Sequence, residues 1–127
     1  MIDHDSVAEW LQDYISAWKS YDPQAIGALF SDHATYRYNP YDEPVRGRDA
    51  IVDNWLENRD APDTYTAEYI SIAVDGNTAV ANGQTYYYEP DGTTLIRQFN
   101  NIFVLRFDDQ GRCTDFCEWY MAPRETE

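Results

Sequence analysis

Residues 34–59, ATYRYNPYDEPVRGRDAIVDNWLENR, carry the most informative structural pattern in the chain. The alternating side chains of TYRY at 35–38 predict a short strand, which the two prolines end because a residue before proline avoids the helical conformation. Gly47 then allows a turn into a helix on which Ile51 and Trp55 lie four residues apart, on one face. A strand, a loop and an amphipathic helix in this order predict one wall of a pocket.

Length and hydropathy limit the class of protein. A chain of 127 residues is expected to form one domain, 1–127, whose core buries about two-thirds of the surface of the unfolded chain. The longest apolar runs are only a few residues, so we expect neither a membrane-spanning helix nor a signal-peptide core. A cytoplasmic location is the resulting prediction.

The chain is strongly acidic, with 23 Asp and Glu residues against 9 Lys and Arg residues and a net charge of −14. Nucleic acids and anionic membranes attract Lys and Arg patches, so neither is expected as a partner. The Asp-rich, Lys-poor composition fits a salt-rich cytoplasm, where ions screen self-repulsion. A GC-rich genome with a solubilising surface explains it equally well.

The two cysteines, Cys113 and Cys117, are four residues apart in a predicted strand. Their Cα atoms would be about 13 Å apart, whereas a disulfide needs less than about 7 Å. We therefore expect free, buried thiols. The two histidines are far apart in sequence and no metal-ligand cluster accompanies them, so neither a metal nor a cofactor is expected.

Helical patterns occupy the first half of the chain. A capping box, Ser6-x-x-Glu9, predicts that the first helix begins near Asp5 or Ser6. Its buried face is expected to carry Val7, Trp10, Leu11, Tyr14 and Trp18. Asp22 and Pro23 are the N-cap and first residue expected of a second helix.

After Asp60 the pattern changes to the period of two that is typical of strands. The predicted strands are Tyr65–Val74, Thr78–Tyr88, Thr94–Phe107 and Arg112–Met121, separated by turns that contain glycine. Together with the helices they predict an α+β fold, in which three N-terminal helices cover one face of a curved antiparallel sheet.

Alternation in the last two strands predicts which side chains face inward. The inward set is Arg97, Phe99, Asn101, Phe103 and Leu105, followed by Thr114, Phe116, Glu118 and Tyr120. The outward set is Ile102, Val104, Cys113, Cys117, Trp119 and Met121. An apolar outer face on a small open sheet predicts a partner sheet, most simply in a two-fold homodimer.

Three stretches of this chain resemble a known group of proteins: QDYISAWKSYDPQAIGALFSDHATYRYNP (12–40), EPVRGRDAIVDNW (43–55) and the turn FDDQGR (107–112). They resemble the SnoaL-like branch of the nuclear-transport-factor-2-like (NTF2-like) superfamily, which includes ketosteroid isomerase. The resemblance covers nearly the whole chain. It implies a cone-shaped α+β barrel with a hydrophobic cavity, usually dimeric, that serves isomerases, polyketide cyclases, dehydratases, epoxide hydrolases and non-enzymatic binding modules.

The resemblance carries over residue by residue only in part. Tyr14 is at the position of the isomerase's oxyanion-hole tyrosine, which donates to a developing enolate oxygen. The aspartate base of the isomerase is replaced by Asn39, or by Tyr38 under a different gap, and its protonated aspartate is replaced by Phe103. A steroid isomerase of the usual mechanism is therefore not expected.

Glu118 is the better candidate for acid/base chemistry. It is predicted to point inward, at a position similar to the last-strand carboxylate of the cyclase and epoxide-hydrolase members. Burial among aromatic rings should raise its pKa toward the range useful for proton transfer. The alternative is a buried structural ion pair with Arg97. Epoxide-hydrolase relatives need an aspartate two residues after the arginine, where this chain has Phe99.

Two functions from different classes follow. One is a cofactor-free enzyme for a small hydrophobic substrate, with Glu118 as acid/base, Tyr14 as hydrogen-bond donor, and Arg97 and Asn101 orienting the ligand. The other is a non-catalytic ligand-binding or dimerisation module. The further residues expected at the ligand are Tyr36, Tyr38, Asn39, Trp55, Tyr86, Phe99, Phe103 and Phe116, with Gln84 and Tyr88 as further inward polar groups.

Overall fold

A computed structural model describes residues 2–124 as three helices and six strands. The helices are α1 (His4–Ser20), α2 (Pro23–Ala28) and α3 (Arg48–Glu57). The strands are β1 (Phe30–Arg37), β2 (Val45–Arg46), β3 (Tyr65–Asp75), β4 (Thr78–Tyr88), β5 (Leu95–Phe107) and β6 (Cys113–Met121). Within this part of the chain, no helix combines the length and the apolar character that crossing a membrane requires.

The six strands form one open, mixed sheet in the order β2-β1-β6-β5-β4-β3. Strands β3 to β6 are the predicted antiparallel meander. The first strand lies beside β6 and is parallel to it, with Tyr36 opposite Phe116. Helix α1 packs against β3 and α3 packs against β1, so the predicted α+β arrangement of helices on one face of the sheet is confirmed.

The N-terminus of α1 differs from the sequence prediction. Asp3 is the N-cap, and its carboxylate accepts a hydrogen bond from the backbone N–H of Ser6 at 2.8 Å. In return the Ser6 hydroxyl oxygen accepts from the backbone N–H of Asp3 at 3.0 Å. Ser6 is thus the third helical residue of a capping box that begins at Asp3, and the predicted start at Asp5 or Ser6 was wrong.

The strand that follows α2 begins earlier than the sequence predicted. Strand β1 begins at Phe30, not at Thr35, because the Leu29 carbonyl accepts a hydrogen bond from the backbone N–H of Cys113 at 2.9 Å. This bond joins the start of β1 to β6. At the other end, Gly47 has a φ of 92°, a backbone conformation that favours glycine, and caps α3 as predicted.

A register shift changes the orientation of one cysteine. Cys113 was predicted to face outward with Cys117, but the pairing of β5 with β6 shifts between Arg106 and Phe107, and the Cys113 side chain is fully buried in the core. The extra residue of such a bulge reverses the alternation beyond it. Both thiols are free, as expected, and burial raises the pKa of each.

The inward face of β4 is one residue out of phase with the prediction. Thr85 and Tyr87 pair with Phe99 and Arg97, which share the inner side of the sheet. Tyr86 alternates with them and points to the other side, as does Gln84, so the predicted inward orientation of both was wrong. Tyr88 follows a further register shift at the end of the same strand.

Gly83 is the inward residue of β4 where the ring of Tyr69 crosses the strand. A Cβ atom at this position would be 2.7 Å from the Cα of Tyr69 and closer still to the Glu68 carbonyl oxygen. Both are backbone atoms that cannot move aside without disturbing the pairing of β3 with β4. The missing side chain therefore allows the inward packing of Tyr69.

We expect Gly83→Ala to lower the free energy of unfolding by about 2–3 kcal/mol, because an overpacked site must displace backbone. Gly27→Ala is the matched control, since a Cβ there meets only side-chain atoms at 3.6 Å or more. The control should stay within about 1 kcal/mol of the wild type. Urea unfolding of both variants measures the difference, and equal stabilities would contradict the account of Gly83.

Candidate active-site cavity

A cavity of about 460 Å³ lies between α1, α3 and the inner face of the sheet. Its volume is in the range typical of small-molecule sites. The lining residues are Tyr14, Trp18, Tyr21, Tyr36, Tyr38, Asn54, Trp55, Asn58, Asp60, Tyr69, Tyr87 and Glu118. Most of the wall is aromatic, and the only carboxyl groups in it are those of Asp60 and Glu118.

A second cavity, of about 310 Å³, adjoins the first. The two share Tyr38, Tyr87 and Glu118, and the second adds Arg97 and Phe99 among others. Glu118 is therefore in the wall of both cavities. A ligand in either one could reach its carboxyl group.

The position of Glu118 follows from the pairing of β5 with β6, in which Glu118 is opposite Phe103. This pair faces the inner side of the sheet, where little water reaches the carboxyl. Burial raises the pKa of Glu118 to about 7, although a hydrogen bond from Asn101 acts in the opposite direction. The Asn101 amide nitrogen donates to Oε2 of Glu118 at 2.6 Å.

The alternative ion pair between Arg97 and Glu118 is not formed. The Arg97 guanidinium lies over the ring of Tyr87, 4.7 Å from its centroid. Between residues 2 and 124 the only salt bridge joins Arg48 to Asp32, at 2.6 Å. Without a cation beside it, Glu118 has no Coulombic attraction that would offset its loss of hydration.

Tyr14 and Tyr36 form a buried pair of phenols at the inner end of the main cavity. Their hydroxyl oxygens are 2.9 Å apart. Both rings stack on Phe116, with centroid distances of 5.6 Å and 4.2 Å. Burial raises the pKa of both phenols well above the ordinary value, and the nearby charge of Glu118 adds to the effect. Two protonated hydroxyls sharing one hydrogen bond leave one proton for a ligand oxygen.

The other polar groups of the wall are of two kinds: some are hydrogen-bonded to a neighbouring side chain, and one is buried without a partner among residues 2–124. The Tyr38 hydroxyl donates to the side-chain oxygen of Asn54 at 2.7 Å. The Trp18 indole N–H donates to Asp60 at 3.1 Å. Trp55 is only 5% exposed and lies edge-on to Tyr14, and its indole N–H has no hydrogen-bond partner among residues 2–124.

The structure brings together most, but not all, of the residues predicted for the site. Those in the main cavity are Tyr14, Tyr36, Tyr38, Trp55 and Glu118, and those confined to the second are Arg97, Phe99 and Asn101. Phe103 and Phe116 are fully buried and pack against Tyr14 from below.

Two predicted site residues line neither cavity. The side-chain oxygen of Asn39 accepts a hydrogen bond from the backbone N–H of Tyr41 at 3.0 Å, within the turn after β1. Tyr86 faces the opposite side of the sheet, as does Gln84, two residues earlier on β4. Of the two candidates for the isomerase's aspartate position, Tyr38 is therefore the one at the cavity.

Sequence analysis missed several wall residues, namely Trp18, Tyr21, Asn54, Asn58, Asp60, Tyr69, Thr85 and Tyr87. The sequence did contain a pattern that indicates an inward Tyr69. Tyr65, Ala67 and Tyr69 are spaced two residues apart along β3, and all three lie on the buried side of that strand. For Asn58 a signal was also present, because its spacing places it on the face of α3 that carries Ile51 and Trp55. Asp60 had no such signal, since it lies in the loop that follows α3.

Comparison with known proteins places this geometry in a family. The SnoaL-like domain family matches residues 11–116. No protein of curated function matches the chain. An NTF-2 like protein of unknown function from Burkholderia xenovorans LB400 is similar in structure, with a TM-score of 0.70 and 16% identity over 97% of this chain and 88% of that one.

A second similar structure is an LEH-like epoxide hydrolase from M. tuberculosis. Its TM-score is 0.67, with 18% identity over 93% of this chain and 84% of that chain. At such identities the likeness extends to the fold, a cone-like arrangement of helices on a curved sheet.

The raised pKa of Glu118 makes stability depend on pH. A carboxyl that is easier to protonate in the folded state stabilises the fold fully below its unfolded pKa, near 4.5, and this contribution is lost as pH rises through about 7. We expect the wild type to lose roughly 2 kcal/mol between pH 5 and 8 from this group, and Glu118→Gln to avoid that loss.

Urea unfolding at the two pH values measures this effect. Glu68→Gln is the control, because Glu68 is an exposed carboxyl on β3 and should leave the pH dependence of the wild type in place. If Glu118→Gln and Glu68→Gln showed the same pH dependence, Glu118 would not have the raised pKa.

Proposed function

The chain belongs to the SnoaL-like domain family, as its sequence resemblance predicted, and from that premise we propose that it is a cofactor-free enzyme acting on a small, hydrophobic, uncharged carbonyl compound. Its reaction begins with proton abstraction beside the carbonyl group. The observation that carries the proposal is a carboxyl with a pKa near neutrality, in the wall of an aromatic cavity that also holds a pair of protonated phenols.

In the proposed first step, the Glu118 carboxylate removes a proton from the carbon next to the carbonyl. The electron pair of that C–H bond forms the enolate, and negative charge develops on the substrate oxygen. The Tyr14 and Tyr36 pair donates its free hydroxyl proton in a hydrogen bond to that oxygen, which stabilises the enolate. If the enolate is conjugated with a C=C bond, the protonated Glu118 returns its proton to the far carbon of that conjugated system, which gives an isomer. If instead the enolate carbon attacks a second carbonyl, a ring closes and the alkoxide that forms takes the proton from Glu118.

The lining of the main cavity supports an uncharged substrate. None of its lining residues is basic, and its two carboxyl groups would repel an anion. The rings of Trp18, Tyr21 and Tyr87 offer apolar surface to the rest of the molecule. Hydroxyls at the inner end and asparagines on α3 supply the few polar contacts that orient such a ligand.

The other activities of similar proteins have less support in this chain. The isomerase's two aspartate positions carry Tyr38 and Phe103, so this chain has neither the base nor the protonated oxyanion donor at those positions. The aspartate that the epoxide-hydrolase relatives use is replaced by Phe99, which offers no proton-transfer group. The non-catalytic alternative would be supported by a Glu118 held in an ion pair, whereas Arg97 lies on Tyr87 instead.

Deuterium exchange tests the proposal without knowledge of the natural substrate. We expect the wild-type protein in D₂O to speed the exchange of α-protons in at least one of a panel of cyclic ketones, such as 2-tetralone, cyclohexanone and an unsaturated decalone. The rate, followed by proton NMR, should rise with pH and level off above about 7, because only the ionised Glu118 accepts a proton.

Three variants give this experiment its controls. Glu118→Gln should slow exchange by about 100-fold or more, and Tyr14→Phe by about 100-fold through loss of the oxyanion donor. Glu68→Gln should match the wild type. If the wild type were no faster than Glu118→Gln with every ketone, the enzymatic proposal would be wrong. Ketone binding detected by tryptophan fluorescence without exchange would then favour a binding module.

We also propose that the protein is a homodimer joined through the outer face of the sheet, as members of the family often are. Exposed apolar side chains on that face support this, among them Ile70, Trp119 and Met121. They adjoin a groove of about 420 Å³ that Ile102 and Trp119 help to line. The cytoplasmic location and the lack of a cofactor remain predictions from the sequence.

Light scattering during gel filtration tests the dimer. The wild type should have twice the mass of one chain, and Trp119→Glu should shift the protein to the monomer by placing a charge in the apolar contact. Ala8→Glu, at an exposed position of α1 on the opposite side of the sheet, is the control and should remain dimeric. A monomeric wild type would rule out the dimer.

A further inference from the structure

A chain of hydrogen bonds connects β3, β4, β5 and β6 behind the cavity wall. The Tyr69 hydroxyl is 2.7 Å from the Thr85 hydroxyl, which donates to Oδ1 of Asn101 at 2.8 Å. The Asn101 amide nitrogen in turn donates to Oε2 of Glu118 at 2.6 Å. Apart from tyrosines, tryptophans and cysteine, Thr85 and Asn101 are the only buried polar side chains between residues 2 and 124, at 2% and 3% exposure.

The direction of each bond follows from a count of protons. A threonine hydroxyl has one proton, and Thr85 gives it to Asn101. Tyr69 must therefore be the donor to Thr85, and burial raises its pKa, which keeps that donor protonated. With its oxygen bonded to Thr85, the Asn101 amide presents its NH₂ group to Glu118.

We propose that Thr85, supported by Tyr69, is a positioning residue that holds the Asn101 amide in one orientation and so makes Oε1 of Glu118 the oxygen that exchanges protons with the substrate. This inference rests on the proposed function of Glu118. The amide NH₂ group occupies Oε2 as an acceptor, so Oε2 cannot carry the proton of the neutral acid toward Asn101. A carboxyl oxygen that carries the proton is a weaker acceptor than the carbonyl oxygen, so the bond from Asn101 to Oε2 favours the neutral acid with its proton on Oε1.

The opposite orientation of the amide would have the opposite effect. If Asn101 were flipped, its Oδ1 would face Oε2 of Glu118, and two oxygens at that distance need a proton between them. The neutral acid would be stabilised, its proton would be on Oε2, and the ionised base would become scarcer at neutral pH. Thr85 opposes this because its oxygen accepts the Tyr69 proton, so its own proton needs the Asn101 oxygen as an acceptor.

Glu118 also has other ionisable groups around it, and their effect on its pKa must be distinguished from that of the Asn101 orientation. The ionisable groups that face it across the two cavities are Tyr14, Tyr21, Tyr36, Tyr38, Asp60, Tyr69, Tyr87, Arg97 and Tyr120. A substitution at Thr85 removes none of them, and among them only Tyr69 hydrogen-bonds to Thr85, so the Tyr69→Phe variant separates its contribution. A change in the titration of Glu118 on substitution of Thr85 would therefore report the amide orientation.

The test is the pKa of Glu118 in full-length variants, measured from the carboxyl ¹³C chemical shift. Thr85→Val has nearly the shape of threonine but no hydroxyl, so the amide can flip and the pKa should rise by about one unit or more. Thr85→Ser keeps the hydroxyl and should titrate like the wild type. Tyr69→Phe leaves the bond from Thr85 to Asn101 intact and should give a smaller rise than Thr85→Val.

The outcomes separate this inference from the proposed function. A Thr85→Val protein that titrates like Thr85→Ser would overturn the positioning role. If Thr85→Val does not fold, the comparison between Tyr69→Phe and the wild type decides, and identical titrations would overturn it as well. If the pKa of Glu118 rises in Thr85→Val but the wild type exchanges no ketone protons, the positioning role of Thr85 is supported and only the proposed enzymatic function is contradicted.

Discussion

The register between β5 and β6 is the constraint on which the candidate site depends. It places Glu118 opposite Phe103 and Phe116 opposite Leu105, all on the side of the sheet that the helices cover. A slip of one residue would exchange the two faces of β6, move Glu118 to the outer face and bury Cys117 and Trp119 in its place. The fully buried Phe116 opposes such a slip, because its ring would leave the core and lose its contact with Phe103.

The same arrangement accounts for the chemistry of the cavity. Phenylalanines below Tyr14 and Tyr36 exclude water from their hydroxyls, and the aromatic wall does the same for Glu118. Desolvation favours the neutral form of both kinds of group. The phenols consequently stay protonated as donors, whereas the carboxyl, whose ordinary pKa is lower, is brought close to neutrality. One physical effect thus gives a donor and an acid/base in the same cavity.

Sequence patterns predicted the parts of the fold that depend on local rules. The prolines and Gly47 within residues 34–59 predicted where α3 begins. The alternation of inward and outward residues along β5 and β6 predicted that Glu118 points inward. Three consecutive tyrosines at 86–88 offered no such alternation, and the phase of β4 depends instead on Gly83 making room for Tyr69. Cys113 was misplaced because a bulge leaves no mark in the spacing of residues. The partners of Asn101 were beyond prediction, since Thr85 and Glu118 reach it from two other strands.

Burial without a neighbouring cation raises the pKa of the Glu118 carboxyl to about 7, and the acid/base role proposed for it depends on this shift. The most direct test is a ¹³C NMR titration of the glutamate carboxyl groups in the wild-type protein, with Glu118→Gln used to assign the resonance. The account predicts one carboxyl that titrates near pH 7 and is missing from the variant. A Glu118 resonance that titrates near the ordinary value of 4.5 would contradict it, and the proposed acid/base role would lose its physical basis.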